Sequence, residues 1–188
     1  CTFDQIGSPD DATFHIYGLA KDVVFEGNKF NFVSYRGVRF ENTLENLTFK
    51  NNEVVGKPGV LYDGLRGMGL VCGKIEVVDN VFDTCAQSHI QFANVGGKST
   101  YTFEGNVFKN SANTAIDVRA LAEGQDVSQV SIEFNIRFNQ FLDSENSWGT
   151  IRLRAQGIPA EQFVTHINYN KFKGVNILST DANEPYYV

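Results

Sequence analysis

Three short apolar stretches carry the residues with the most chemistry to offer: HIQF (89–92), AIDV (115–118) followed by Arg119, and TIRL (150–153) followed by Arg154. With Ile90, Ile116 and Ile151 directed inward, a period of two sends the alternate side chains to one surface. That surface holds His89 and Gln91, then Asp117 and Arg119, then Arg152 and Arg154. Arg39, in GVRF (37–40), and Glu41 hold the matching places nearer the N-terminus. Guanidinium forks fit carboxylate and sulfate groups, and an imidazole beside them is a candidate base. The chemistry expected is engagement of an acidic sugar. His89, Arg119 and Arg152 are the candidate catalytic groups, and Gln91, Asp117, Arg154 and Arg39 the candidate substrate-binding groups. Trp148, in SENSWGT just before the Arg152 stretch, adds a ring that either stacks on a sugar or caps the core. The same charges also read as a sheet face paired with itself, Asp117 answering Arg119, Arg152 or Arg154.

What places these stretches side by side is a repeat. VFEGNKF (24–30) returns as TFEGNVF (102–108), and looser copies surround Asn52, Asn80, Asn139 and Asn170. Successive key Asn residues, starting from Asn28, are separated by 24, 28, 26, 33 and 31 positions. Three places before the Asn stand Phe25, Phe49, Val77, Phe103, Ile136 and Ile167; two places after it stand Phe30, Val54, Phe82, Phe108, Phe141 and Phe172. Each copy is followed by a second apolar stretch, read as GVRF, MGLVC (68–72), HIQF, AIDV, TIRL and VNIL (175–178). GLRGMG (64–69) then reads as an inserted, glycine-bent loop.

A unit of this length with two or three short strands cannot bury its own apolar side, whereas stacked copies bury a continuous one. The expected fold is therefore all-β, a right-handed parallel β-helix of about six to seven coils. Its rungs lie ~4.8 Å apart, with a ladder of Asn and a core of stacked Phe. Each ladder Asn bonds the backbone of its own bend and the Asn one coil away, satisfying groups that would each cost about 1–3 kcal/mol if buried unpaired. Residues 1–22 read as an N-terminal cap or partial first coil, 23–180 as the β-helix and 181–188 as a C-terminal tail. Leucine-rich repeats would show an LxxLxL register, and propeller blades need about 40 residues each.

The NxF pattern, about eight polar or small residues and then an I-x-V strand, resembles the repeat of right-handed β-helices of the pectin-lyase-like superfamily. NVFKNSANTAIDVRAL (106–121) is most similar to the chondroitinase-B-like and alginate-lyase-like branch, the polysaccharide lyase family 6 type. The resemblance covers residues 23–180 and implies β-elimination on a uronic acid, with a Lys base, an Arg acid and Ca²⁺ held by Asn and Glu. This chain departs from that set: no Lys falls on the expected surface, so His89 stands as base, and no Asn/Glu/Glu constellation can be matched. Ca²⁺ remains the one cofactor the resemblance implies; the residues themselves assign no metal. Asp10 with Asp11, Asp143 with Glu145, and Asp181 with Glu184 read as solvated turns. The runner-up is a non-catalytic structural or adhesive solenoid, such as a cell-surface protein or phage tail-spike segment.

Composition sets the bounds. The chain has 188 residues, 42 % of them apolar, enough for one core. A formal charge of −6 disfavours nucleic acid as partner, and no apolar run reaches the roughly 18–20 residues of a membrane span. Cys1, Cys72 and Cys85 show no metal-ligand spacing; the latter two read as small buried hydrophobes, and a terminal Cys is shared with mature lipoproteins. The expected location is extracellular or cell-surface, with further domains or chains capping the open ends of the β-helix, since bare strand edges invite pairing.

Overall fold

The computed structural model describes residues 1–7, 11–121, 123–145 and 149–175, and it is a parallel β-solenoid of about six coils. Each coil lays one strand on each of three faces. Coil one comprises β1 (Thr2–Ile6), β2 (Ala12–Ile16) and β3 (Ala20–Glu26); coil two, β4 (Lys29–Phe32), β5 (Arg36–Phe40) and β6 (Leu44–Lys50). Coil three has β7 (Glu53–Gly56) and the long β8 (Asp63–Val78), which bends across a corner to serve two faces. Coil four is β9 (Val81–Cys85), β10 (Ser88–Val95) and β11 (Lys98–Glu104); coil five, β12 (Val107–Ser111), β13 (Thr114–Leu121) and β14 (Ser131–Arg137). Coil six is β15 (Gln140–Ser144), β16 (Ile151–Gln156) and β17 (Phe163–Asn168), after which β18 (Lys171–Val175) begins another turn. Face one is the sheet β1-β4-β7-β9-β12-β15-β18; face two runs β2-β5-β8-β10-β13-β16, and face three β3-β6-β8-β11-β14-β17. β1 and β2, upstream of position 23, pair in the same sheets as the later coils. The wider Asn spacings in coils five and six are taken up at the corner between faces two and three, by single 3₁₀ turns at Val127–Gln129 and Ala160–Gln162.

Stacking follows the repeat column by column. Phe82 pairs with Phe108 and Phe108 with Phe141, ring centroids 5.1 Å and 5.2 Å apart and nearly parallel. Where Val54 interrupts this file, Phe49 from the neighbouring column fills the gap, 6.4 Å from Phe30 and 5.9 Å from Phe82. Each such ring is worth roughly 1.5–3 kcal/mol on burial, so the file is a large share of what holds the coils together. The Asn ladder is continuous: Asn52, Asn80 and Asn106 donate Nδ2 to the next Oδ1 at 3.1, 3.0 and 3.0 Å. That same oxygen accepts the donor residue's backbone N–H, and Nδ2 also reaches a main-chain carbonyl of the preceding coil, as Asn80 does to Phe49 O at 2.7 Å.

One segment corrects the sequence reading. GLRGMG is strand, not loop, and MGLVC is not the second strand of coil three: Leu65 takes that place, in register with Val38 and Ile90. Residues 68 and 69 form a bulge where β8 turns the corner, because the register shifts between Phe92 and Asn94. A Cβ at Gly69 would lie 2.5 Å from the backbone oxygen of Asn42, so glycine is what lets the chain turn so closely over the preceding coil. VNIL, apart from Val175 in β18, lies outside the described residues.

Candidate functional site

Face two gathers the arginines. Its central outward column is His15, Arg39, Arg66, Gln91, Asp117 and Arg152, each in register with the next. A second column carries Arg119 beside Arg154, and at the edge Arg36 pairs with Asp63, which pairs with Ser88. Six of the chain's seven arginines therefore lie on this face, while every one of its nine lysines lies elsewhere. Against the six guanidinium groups stand four carboxylates, Asp11, Glu41, Asp63 and Asp117. The local excess is positive on a chain that is negative overall.

Much of this charge is internally held. Arg154 Nη2 donates to Asp117 Oδ1 at 2.8 Å and Oδ2 at 3.1 Å, and Gln91 Nε2 donates to the same Oδ2 at 3.1 Å. Asp117 ends up 1 % exposed although its position points outward, because the long side chains beside it lie flat over it. Asp63 is fully buried, bonded by Arg66 and 3.7 Å from Arg36 Nε. Burial raises its carboxyl above the usual range, against the opposing pull of Arg66 and Arg36. Arg39 Nη2 meets Glu41 at 2.6 Å, and His15 Nε2 meets the same carboxylate at 3.1 Å. His15 holds Glu41 below the ordinary carboxylate range, with Arg39 helping. Arg119 differs. Its Nε donates to Ala93 O at 3.3 Å, and among the described residues its two terminal nitrogens meet no carboxylate. Tyr35 and Tyr62 stack at 4.7 Å along the edge, with the Arg36 guanidinium 4.6 Å above Tyr35.

His89 is not on this face. Its ring lies inside the core, 5.9 Å from both Phe82 and Phe108, with Nε2 2.9 Å from Lys109 O. Burial lowers its pKa to about 4, so at neutral pH it is an uncharged core residue without access to a substrate. Alternation fails there because the chain turns the corner between faces one and two at this point, and both His89 and Ile90 end up inside. The neighbouring rungs hold only glycine or alanine at the same place, Gly64 and Ala115, which leave room for the imidazole. That run of small residues was the available signal. Arg36, Arg66 and Asp63 were not singled out as site residues, since the loop reading of GLRGMG hid the register that aligns them.

Among the described residues no group of three or more His, Cys, Asp or Glu is placed to hold a metal. The Ca²⁺ implied by the lyase resemblance does not fit face two either, since Glu41, Asp63 and Asp117 there are each held by a guanidinium. Asp11 lies 3.9 Å from His15 Nδ1. Trp148, Asp10, Asp181 and Glu184 lie outside the described residues. Cys85 is a buried thiol and Cys72 a partly buried one; neither is in a disulfide. No helix is long and apolar enough to cross a membrane among the described residues. No family model, curated protein or solved structure matches the chain.

Proposed function

We propose that face two binds an acidic polysaccharide, on a solenoid related to the pectin-lyase-like β-helices that works outside the cell or at its surface. The observation that carries this reading is the segregation of six arginines, and no lysine, onto one face with four carboxylates. Arg is the side chain whose planar fork suits the carboxylate or sulfate of such a glycan. Arg119 supplies the least committed guanidinium, and Arg152 and Arg154 extend the cationic track one coil further. Rungs repeat every ~4.8 Å, close to the length of one pyranose ring, so a glycan lying along the solenoid axis meets a new rung with each sugar. Binding without cleavage is the form of the proposal, because the candidate base His89 is enclosed in the core.

The test is binding of polygalacturonate, alginate and chondroitin sulfate by calorimetry, with absorbance of unsaturated uronate followed in parallel. Affinity that weakens with added salt and falls at least about tenfold in Arg119→Ala supports the proposal. Equal affinity in wild type and variant, or none for any of the three, rejects it. A second reading, a structural solenoid whose charges only lace its coils together, draws on the buried Asp117–Arg154 pair; it expects no glycan affinity at all.

A further inference from the structure

The residue before each ladder Asn has a left-handed backbone, with φ of 64° at Gly27, 55° at Asn51, 55° at Asp79, 67° at Gly105, 58° at Phe138 and 57° at Tyr169. Gly, Asn and Asp tolerate that conformation, whereas a bulky side chain is a costly choice. Coils five and six nonetheless place aromatic rings there. Burial does not offset the cost, since Phe138 is 53 % and Tyr169 82 % exposed. The two rings stack 5.2 Å apart and 6° from parallel, forming a flat step on the outside of the turn.

Beside this step, face three carries a depression of about 430 Å³ whose lining includes Lys50, Glu76, Thr102, Glu104 and Arg137. Arg137 is the chain neighbour of Phe138, and Glu104 that of Gly105, so the strand ends that line the depression lead directly into the turn column. Gly105 puts no side chain on the rung next to Phe138. Asp79 leans into that rung instead: a Cβ at Gly105 would lie 2.3 Å from its Oδ1. The ring step and the Asp79 carboxylate stand on the turn column, as chain neighbours of the lining residues Arg137 and Val78, and do not themselves line the depression. Arg137 Nε meets Glu104 Oε2 at 2.8 Å, and both remain partly exposed. The two cations and two anions of the lining cancel, in contrast to face two.

We propose that Phe138 and Tyr169, with Glu104, Arg137 and Asp79, form a second site that takes an uncharged pyranose. The apolar C–H face of the sugar packs on the ring step, and its hydroxyls bond the neighbouring carboxylates and guanidinium. A macromolecular partner fits less well. Two aromatic residues bury at most about 500 Å², short of the roughly 800 Å² per partner of a standard protein interface. The proposal does not rest on the acidic-glycan reading of face two, which lies on a different side of the solenoid.

The double variant Phe138→Asn, Tyr169→Asn tests it well, because Asn suits the left-handed backbone and the fold should be no worse. Calorimetric titration with cello-, galacto- and mannohexaose in β linkage is expected to show binding of at least one by the wild type. That affinity should fall at least about tenfold in the double variant, with Tm unchanged or raised by about 2 °C. Arg119→Ala should leave it untouched, which separates this site from face two. Failure of all three sugars to bind, equal affinity in the double variant, or a fall of several degrees in its Tm would each overturn the proposal, the last by showing that the rings serve packing.

Discussion

Arg154 reaches from coil six to Asp117 in coil five and holds both of its carboxylate oxygens through Nη2, at 2.8 Å and 3.1 Å. The pair joins adjacent rungs on the face proposed to bind glycan, and both partners are largely buried, so it links stability to the local charge balance.

Asp117→Ala removes the carboxylate that accepts from Arg154 Nη2 and Gln91 Nε2. Breaking one side of a buried pair typically costs about 3–5 kcal/mol, and that loss should appear as a lower urea midpoint with an unchanged m-value. An unchanged midpoint would show the pair to be solvated and of little weight.

The Asn ladder predicts a gradient along the solenoid. Asn80→Ala strips the partners from Phe49 O, Asn52 N and Asn52 Nδ2 in a dry interior, at a cost of about 3 kcal/mol or more by the penalty for several unsatisfied groups. Asn28→Ala, at the partly exposed end of the ladder, should cost about 1 kcal/mol. Chemical denaturation of the two variants side by side checks the ranking, and equal losses would contradict a ladder whose worth comes from burial.

His89 predicts a pH dependence. Its pKa of about 4 in the folded chain lies below the ordinary value of 6.5, so the unfolded chain binds more protons between those limits. Stability therefore rises with pH across that window and is lost as pH falls from 6.5 toward 4, by about 3 kcal/mol in full. His89→Gln removes the titrating group. The difference in unfolding free energy between wild type and variant should shrink as pH is lowered from 6.5 to about 5; a constant difference would place the imidazole in contact with solvent.

Thiol reactivity should follow burial. Enclosure raises the pKa of Cys85 well above that of a free thiol and that of Cys72 more mildly, whereas Cys1 is exposed. Iodoacetamide on the native protein should label Cys1 first, Cys72 slowly and Cys85 only after unfolding, as read by peptide mass mapping. Early labelling of Cys85 would mean that the core between faces one and two opens readily.

The sequence by itself determined the rungs. Asn, Phe and Ile recur at fixed offsets because each coil must repeat the same bends and bury the same side, so the pairings Phe82 with Phe108 and Ile116 with Ile151 are legible as columns of like residues. It also disclosed Arg119, Arg152, Arg154 and Asp117 as neighbours, since these stand within regular strands where alternation holds. What only the tertiary structure decided lies at the corners. There the chain turns, two successive residues can face inward, and the parity that sorts inside from outside is reset by contacts with other coils. Hence His89 joins the core, Arg66 emerges from an apparent loop onto the arginine face, and Asp117 points outward yet is covered by its neighbours' side chains. Local periodicity carries no record of such resets, because the rung that imposes each one lies some 24 to 33 residues away in the chain.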